Sequence, residues 1–401
     1  MHIMGDIEMI RSSSKLAAAG FVAVVLAFGT LVAGVSGQAP IVRSAYHDFR
    51  VVPVAENLVN PWSMAFLPGG DMLITERPGR LRIVRDGTLL PDSVVGVPEV
   101  FAEGQGGLFD VLPHPDFASN RLLYLSYSAP NGGESTTAVS RGRFENDRLA
   151  DVEEIFVAQT RGRGHYGSRL AFHLDGHLFI TVGERQVPSV GDLEAHPAQD
   201  LSNHHGTVIR LYEDGRVPDD NPFVGQPGKL PEIWSYGHRN PQGLAIHSET
   251  GDVWTTEHGP QGGDELNLIQ AGKNYGWPVV GYGVNYRTGL AIHEGTQREG
   301  MEPPVRFWVP SIATSGLLFY TGDRFPQWKG NLLAGGLAGE QIGRLTMSPD
   351  GKRVLREETI LQGMGRVRDI GQGLDGYVYV AIEDRQGAPT SVVRLEPVDP
   401  S

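Results

Sequence analysis

Residues 60–84 read NPWSMAFLPGGDMLITERPGRLRIV, and the way that stretch is punctuated decides the fold. An apolar strand, Met64-Ala65-Phe66, meets a turn made of Pro68, Gly69, Gly70 and Asp71. A second strand, Met72-Leu73-Ile74, follows, and then a third, Arg80-Leu81-Arg82-Ile83-Val84. Short apolar runs bounded by Gly, Pro and Asp read as hairpins. The paired strands recur as Val111-Leu112 with Leu122 to Leu125, Leu170 to Phe172 with Leu178 to Ile180, and Leu244 to Ile246 with Val253-Trp254. Leu317 to Phe319 with Asn331 to Leu333, and Asp369-Ile370 with Val378 to Val380, make six. Third strands bearing arginine recur at Val208 to Leu211, Ile342 to Leu345 and Val392 to Leu395.

Six units of about 56 residues each match the repeat length of propeller blades. A blade cannot cover both its faces alone, so blades stack radially around a channel. A sandwich with long loops is the alternative, but it does not repeat one pattern six times. The expectation is an all-β, six-bladed β-propeller. Its last strand, near Arg394, should complete the sheet begun at Tyr46 to Val52, joining the two ends of the chain.

The 401-residue chain is long enough to bury a sizeable core, and its 53 glycines and 27 prolines suit many tight turns. A net charge of -13 argues against nucleic acid as a partner, because phosphates demand a basic surface. With no cysteine, disulfides, thiolate metal sites and cysteine nucleophiles are excluded. At the N-terminus, Arg11 and Lys15 precede an apolar stretch from Leu16 to Val35, and small residues follow at Ser36 to Ala39. Residues 1–39 therefore read as a secretory signal peptide, with an uncleaved anchor as the alternative, and residues 40–401 as the propeller domain. An exported, periplasmic protein is expected, with no stable membrane insertion unless that segment is retained.

In an up-and-down blade the first strand starts, and the second ends, at the same face. Residues before strand one are Asn60, Gln105, His165, Arg239 with Asn240, and Arg366 with Arg368; those after strand two are Glu76, Glu184 and Glu257 to Pro260. Asn60-Pro61 and Asn240-Pro241 fall in equivalent slots of different blades. Such residues singly cap turns, but five blades placing them at one channel mouth point to a site for an anionic ligand. His165, in the glycine-flanked run Gly162 to Ser168, is the candidate base. Glu184 should lie across the same turn, where a carboxylate orients the ring and supports the charge it gains. The adjacent pair His204-His205 would face opposite ways on a strand and is read as structural.

These segments together resemble the soluble aldose sugar dehydrogenases that use pyrroloquinoline quinone, the family of soluble glucose dehydrogenase. The likeness runs through residues 60–82, Gly104 to Phe117, Gly164 to Glu184, Trp234 to Gly243 (WSYGHRNPQG), Glu257 to Pro278 (EHGPQGGDELNLIQAGKNYGWP) and Arg366 to Asp369. The resemblance implies oxidation of an aldose at the anomeric carbon to a lactone, with His165 as general base. It implies hydride transfer to the quinone beside Arg239. It assigns Gln105, Arg239, Asn240, Gln242, Tyr286, Arg366 and Arg368 to the cofactor. Calcium is implied at the Gly259 and Pro260 carbonyls, and a second calcium at Glu265 and Tyr275. Three departures stand out: Ala338 where the glucose branch has a cofactor-contacting lysine, Glu184 for aspartate, and His258 for glutamine. Rival readings are a calcium-dependent, lactonase-like hydrolase in which His165 activates water, and a binding propeller without catalysis.

Overall fold

The computed structural model describes residues 40–398; the signal segment read at residues 1–39 lies outside them. Six antiparallel sheets follow one another along the chain. Blade 1 is Pro61–Phe66, Met72–Glu76, Arg80–Arg85 and Thr88–Leu89; blade 2 is Leu108–Pro113, Leu122–Asn131, Glu134–Glu145 and Arg148–Val157. Blade 3 is Gly167–Phe172, Leu178–Val182, Thr207–Leu211 and Ile233–Tyr236. Blade 4 is Pro241–Ile246, Val253–Glu257, Asp264–Ile269 and Arg306–Trp308, and blade 5 is Thr314–Phe319, Leu332–Gly336, Gln341–Met347 and Val354–Ile360. Blade 6 takes Arg366–Gln372, Val378–Glu383 and Pro389–Pro397 from the end of the chain and Phe49–Val59 from its beginning.

Burial explains why the strands read as apolar runs rather than as alternating ones. Every residue of Met72–Glu76, Leu178–Val182, Val253–Glu257 and Leu332–Gly336 is buried, because each second strand lies between two neighbouring blades. The outer strand Arg148–Val157, with solvent on one side, is mostly exposed. The inner strands pack against one another in sequence, and that of blade 6 packs against that of blade 1. Closure is made by Phe49–Val59 pairing with Pro389–Pro397, with Val51 opposite Leu395 and Arg50 opposite Glu396. Closing the ring in this way covers the two end faces that a linear stack of blades would leave exposed. Among the described residues no helix is long and apolar enough to cross a membrane.

One feature of the inner strands positions the site. All six slip register near their start: between Pro61 and Ser63, Leu108 and Val111, Gly167 and Leu170, Pro241 and Gly243, Thr314 and Leu317, and Val367 and Asp369. A bulge adds a residue and re-aims side chains. Here the slipped segments contain Trp62, Asp110, Arg169, Gln242, Ser315 and Arg368. Arg366 and Arg368, expected ahead of their strand, therefore lie inside it, and Glu76 and Glu257 are the last residues of theirs rather than the first beyond.

Closure predicts a stability effect. Leu395 is fully buried between Val51 and Val378, so Leu395→Ala should lower unfolding free energy by about 2–5 kcal/mol, read from urea denaturation. A change within about 0.5 kcal/mol, as for an ordinary surface position, would show that the strand is not part of the cooperative fold.

Candidate active site

The mouth of the channel holds a cleft of ≈ 480 Å³ lined by Gln105, His165, Glu184, Arg239, Pro260 and Tyr286, together with His258. That volume falls within the range of small-molecule sites. His165 and Arg239 thus share one wall-to-wall space, as the strand-end geometry requires.

His165 enters the cleft from the loop before the inner strand of blade 3. Its backbone is left-handed, with φ of 44°, and its N–H donates to Gln105 Oε1 at 2.8 Å. For a non-glycine residue that conformation costs energy and persists only where the surroundings impose it. Glu184 meets it at the open end of the strand pair, where Gly167 stands opposite Val182, with Oε1 at 2.5 Å from His165 Nδ1. The approach depends on Gly183, since a Cβ there would stand 2.1 Å from the His165 carbonyl oxygen. Burial, then the neighbouring Arg239 charge, hold the His165 ring below its ordinary 6.5, with Glu184 opposing. Burial pushes the Glu184 carboxyl up, but His165 and Arg239 outweigh it and keep it below 4.5. The pair is therefore a neutral imidazole on a carboxylate at neutral pH. Nδ1–H donates to Glu184, which leaves Nε2 as the proton acceptor.

Arg239 is fixed at both ends. Its N–H donates to Glu257 Oε2 at 2.6 Å, and Nη1 donates to the His258 carbonyl at 3.0 Å. Its Nε, and Nε2 of His258, are buried without a hydrogen-bond partner. Unsatisfied polar atoms at a cleft are what a polar ligand would complete. Asn240, Gln242, Arg366 and Arg368 do not line this cleft. Asn240 Oδ1 accepts from Gly167 N at 3.1 Å, and Gln242 Oε1 accepts from Arg368 Nη1 at 2.6 Å. Arg366 and Arg368 both donate through Nε to Glu383, at 3.2 and 2.6 Å. Glu383 was not singled out from sequence, although it ends its second strand as Glu76 and Glu257 end theirs. Ala338 is exposed beside Leu337, whose carbonyl accepts from Arg366 Nη1 at 3.3 Å.

Next to the cleft, and sharing Arg239, His258 and Pro260 with it, is a small cavity lined also by Glu257, Gly259, Glu265 and Tyr275. Gly259 is tied down by its N–H to Asp264 Oδ1 at 2.9 Å, and a Cβ would stand 2.2 Å from the Gly263 carbonyl oxygen. The Gly259 carbonyl accepts only a long bond from the Tyr286 hydroxyl, 3.4 Å. Tyr286 itself is 65% exposed at the mouth. Glu257 and Glu265 face each other across the strand pair, with Asn267 Nδ2 donating to both. Burial, then the Glu257 charge, push Glu265 well above 4.5, and Asn267 Oδ1 is a buried oxygen without a partner. Two carboxyls and an orphan amide oxygen form a hard-oxygen set suited to calcium. The Tyr275 hydroxyl is already used between Leu268 O and Gln270 N, so that residue has its backbone carbonyl to offer. Among the described residues no three His, Asp or Glu side chains form a metal cage of their own. His204 accepts from Gln159 N and meets Glu232, and both it and His205 lie in the turn ahead of Thr207–Leu211 rather than on a strand as expected.

A family model described as glucose/sorbosone dehydrogenase matches residues 58–394. The aldose sugar dehydrogenase YliI of Escherichia coli is 43% identical over 348 residues, covering 84% of this chain and 91% of its own. The apo-form structure of the soluble aldose sugar dehydrogenase from Escherichia coli is similar at a TM-score of 0.81 and 39% identity, over 87% of this chain and 100% of that one. The PQQ-bound aldose sugar dehydrogenase of Streptomyces coelicolor gives 0.71 at 27% identity, over 87% and 98%.

The electrostatics predict a titration. In the ligand-free protein the His165 ring protons, followed by NMR, should titrate with a midpoint below 6.5. A folded histidine that holds its proton less firmly than an unfolded one contributes stability that is lost as pH falls below 6.5. A midpoint at or above 6.5 would contradict the burial and Arg239 field described.

Proposed function

The chain belongs to the glucose/sorbosone dehydrogenase family, and on that footing we propose that it oxidises aldose sugars at the anomeric carbon with pyrroloquinoline quinone and calcium. The observation that carries the reading is the buried His165–Glu184 pair facing Arg239 in one cleft, with unpartnered donors left on its wall. Bound there, the quinone would supply a two-electron acceptor for hydride and calcium a Lewis acid on its carbonyl. The residues fit that pair: guanidinium forks for carboxylates at Arg366 and Arg368, and backbone oxygens at Gly259 and Pro260 for calcium. Glu265, Glu257 and Asn267, with the Tyr275 carbonyl, suit a second, structural calcium.

The chain's own part is acid–base and electrostatic. Nε2 of His165 takes the proton of the anomeric hydroxyl, and Glu184 stabilises the imidazolium through Nδ1. As the proton leaves, C1 gives up hydride and the hemiacetal becomes a lactone. Arg239, whose Nε is unpartnered, would hold the carbonyl end of the bound group and supply positive charge there. Gln105 holds the base through the His165 backbone, while Asn240 and Gln242 brace blades 3, 4 and 6 behind the ligand. Tyr286, exposed at the mouth, meets whatever sugar enters.

Apo-protein mixed with quinone and calcium should bleach an artificial dye with aldoses. His165→Ala should keep quinone binding and lower turnover by about two to four orders of magnitude. Equal loss of binding and rate would make His165 a ligand contact instead. Ester hydrolysis without sugar oxidation would favour the calcium hydrolase. Changing Arg366 and Arg368 together to Gln should weaken quinone retention in a titration, and an unchanged titration would refute their assignment.

A further inference from the structure

Glu184 is gripped at both oxygens. Oε1 meets His165 Nδ1 at 2.5 Å, and Oε2 accepts from Val187 N at 2.6 Å. A carboxylate held at one oxygen alone can turn about its last torsion. The Val187 contact therefore decides whether the other oxygen stays on the imidazole.

Val187 lies in a stretch with little stiffness of its own. Residues 183–192 form neither helix nor strand, and Gln186, Val187, Pro188, Ser189 and Val190 line the cleft. Arg185 and Gln186 are consecutive left-handed residues, with φ of 66° and 60°. Neither is glycine, so this turn costs energy and persists only where its surroundings impose it.

His196 holds the other side of Val187. Its ring is buried, and Nδ1 accepts from Ala198 N at 3.1 Å, which leaves the hydrogen of the neutral ring on Nε2. Nε2 donates to the Val187 carbonyl at 3.3 Å. Burial, opposed by the Val187 contact and the Glu184 charge, holds the ring below its ordinary 6.5 and keeps it in this neutral form. The base from which the ring reaches is firm. Ala198 O accepts from Gly237 N at 3.0 Å, and Gln199 donates to Trp277 O at 2.6 Å. Gln199 and Asn274 also bond each other in both directions, at 3.2 and 2.6 Å.

Resting on the reading of His165 as general base, we propose that His196 is a positioning residue for the same reaction: through the Val187 peptide it keeps the Glu184 carboxylate on the His165 ring. His196 does not itself line the cleft, so it acts through the chain and not on the ligand. Val187 hands the contact on, its carbonyl tied to an anchored turn and its N–H to the carboxylate.

Two substitutions separate this role from the other work of the ring, which caps the short Pro197–Gln199 turn. His196→Asn keeps an acceptor suited to the cap but lacks the reach to Val187. His196→Gln extends a donor toward the Nε2 position and gives up the cap. Each protein is measured for the ligand-free His165 titration by NMR and for its urea midpoint. Turnover of an aldose is measured after loading with pyrroloquinoline quinone and calcium. His196→Asn should bring the His165 midpoint below the wild-type value, because Glu184 supports the charged ring. Its kcat should fall about tenfold, the scale of one lost hydrogen bond, at an unchanged urea midpoint. His196→Gln should keep the wild-type His165 midpoint and most of kcat. A His196→Asn protein that retains the wild-type His165 midpoint, or a His196→Gln protein that falls as far as His196→Asn, overturns the inference and leaves the ring a cap. A wild-type protein that oxidises no sugar overturns the functional reading, and the His165 titrations of the two variants then decide by themselves whether His196 sets Glu184.

Discussion

Arg169 ties the ring together at its axis. It comes from the bulged inner strand of blade 3 and is 6% exposed. It bonds Asp369 of blade 6 at 2.8 Å, faces Asp110 of blade 2 at 3.6 Å, donates from Nε to the Gln242 carbonyl of blade 4, and lies 4.2 Å over Trp62 of blade 1. A buried cation is tolerated only when its charge and donors are met, so the four blades must hold their places around it. The carboxyls show the cost. Burial raises Asp110, and raises Asp369 to about 6 against the pull of Arg169. Ser63 Oγ and Leu170 N both donate to Asp110, and Met64 N to Asp369, which spreads that cost over further strands.

The face that carries the cleft is built on this hub. Arg169 also donates to the Arg368 carbonyl at 3.3 Å, so the strand that aims Arg368 at Gln242 and Glu383 is anchored from the opposite side of the channel. Above it, each functional group is held through a backbone contact from a neighbouring blade: His165 by Gln105, Gly167 by Asn240, Glu184 N by the Arg239 carbonyl. The residues of the candidate site are thereby drawn from several blades. A neutral imidazole on an anionic carboxylate, His165 with Glu184, shares the cleft with the single guanidinium of Arg239.

Much of this was legible in the primary structure because propeller blades repeat. The apolar strand pairs and the third strands fell where the hairpin punctuation put them, and Asn60-Pro61 and Asn240-Pro241 do stand in the same register, opposite Glu76 and Glu257. His165 and Glu184 could be paired on paper because they flank the same end of one strand pair. What could not be read was the bulge in every inner strand. A bulge leaves no mark in an apolar run, yet it decides that Arg368 lies within its strand and that Arg169 and Asp110 point to the axis. Glu383 could have been found from its slot, shared with Glu76 and Glu257. Side-chain spacing could not reveal the Glu257–Glu265–Asn267 oxygen set, which forms by cross-strand register.

In the proposed reaction the anomeric hydroxyl gives up its proton and C1 its hydride inside one cleft. The most direct test is an anaerobic single-turnover experiment on protein loaded with quinone and calcium, mixed with an aldose and with the same sugar deuterated at C1, and followed by the quinone absorption spectrum. One equivalent of quinone should be reduced per active protein, more slowly with deuterium at C1. A spectrum that stays oxidised with every aldose, in protein that demonstrably holds the quinone, would contradict it.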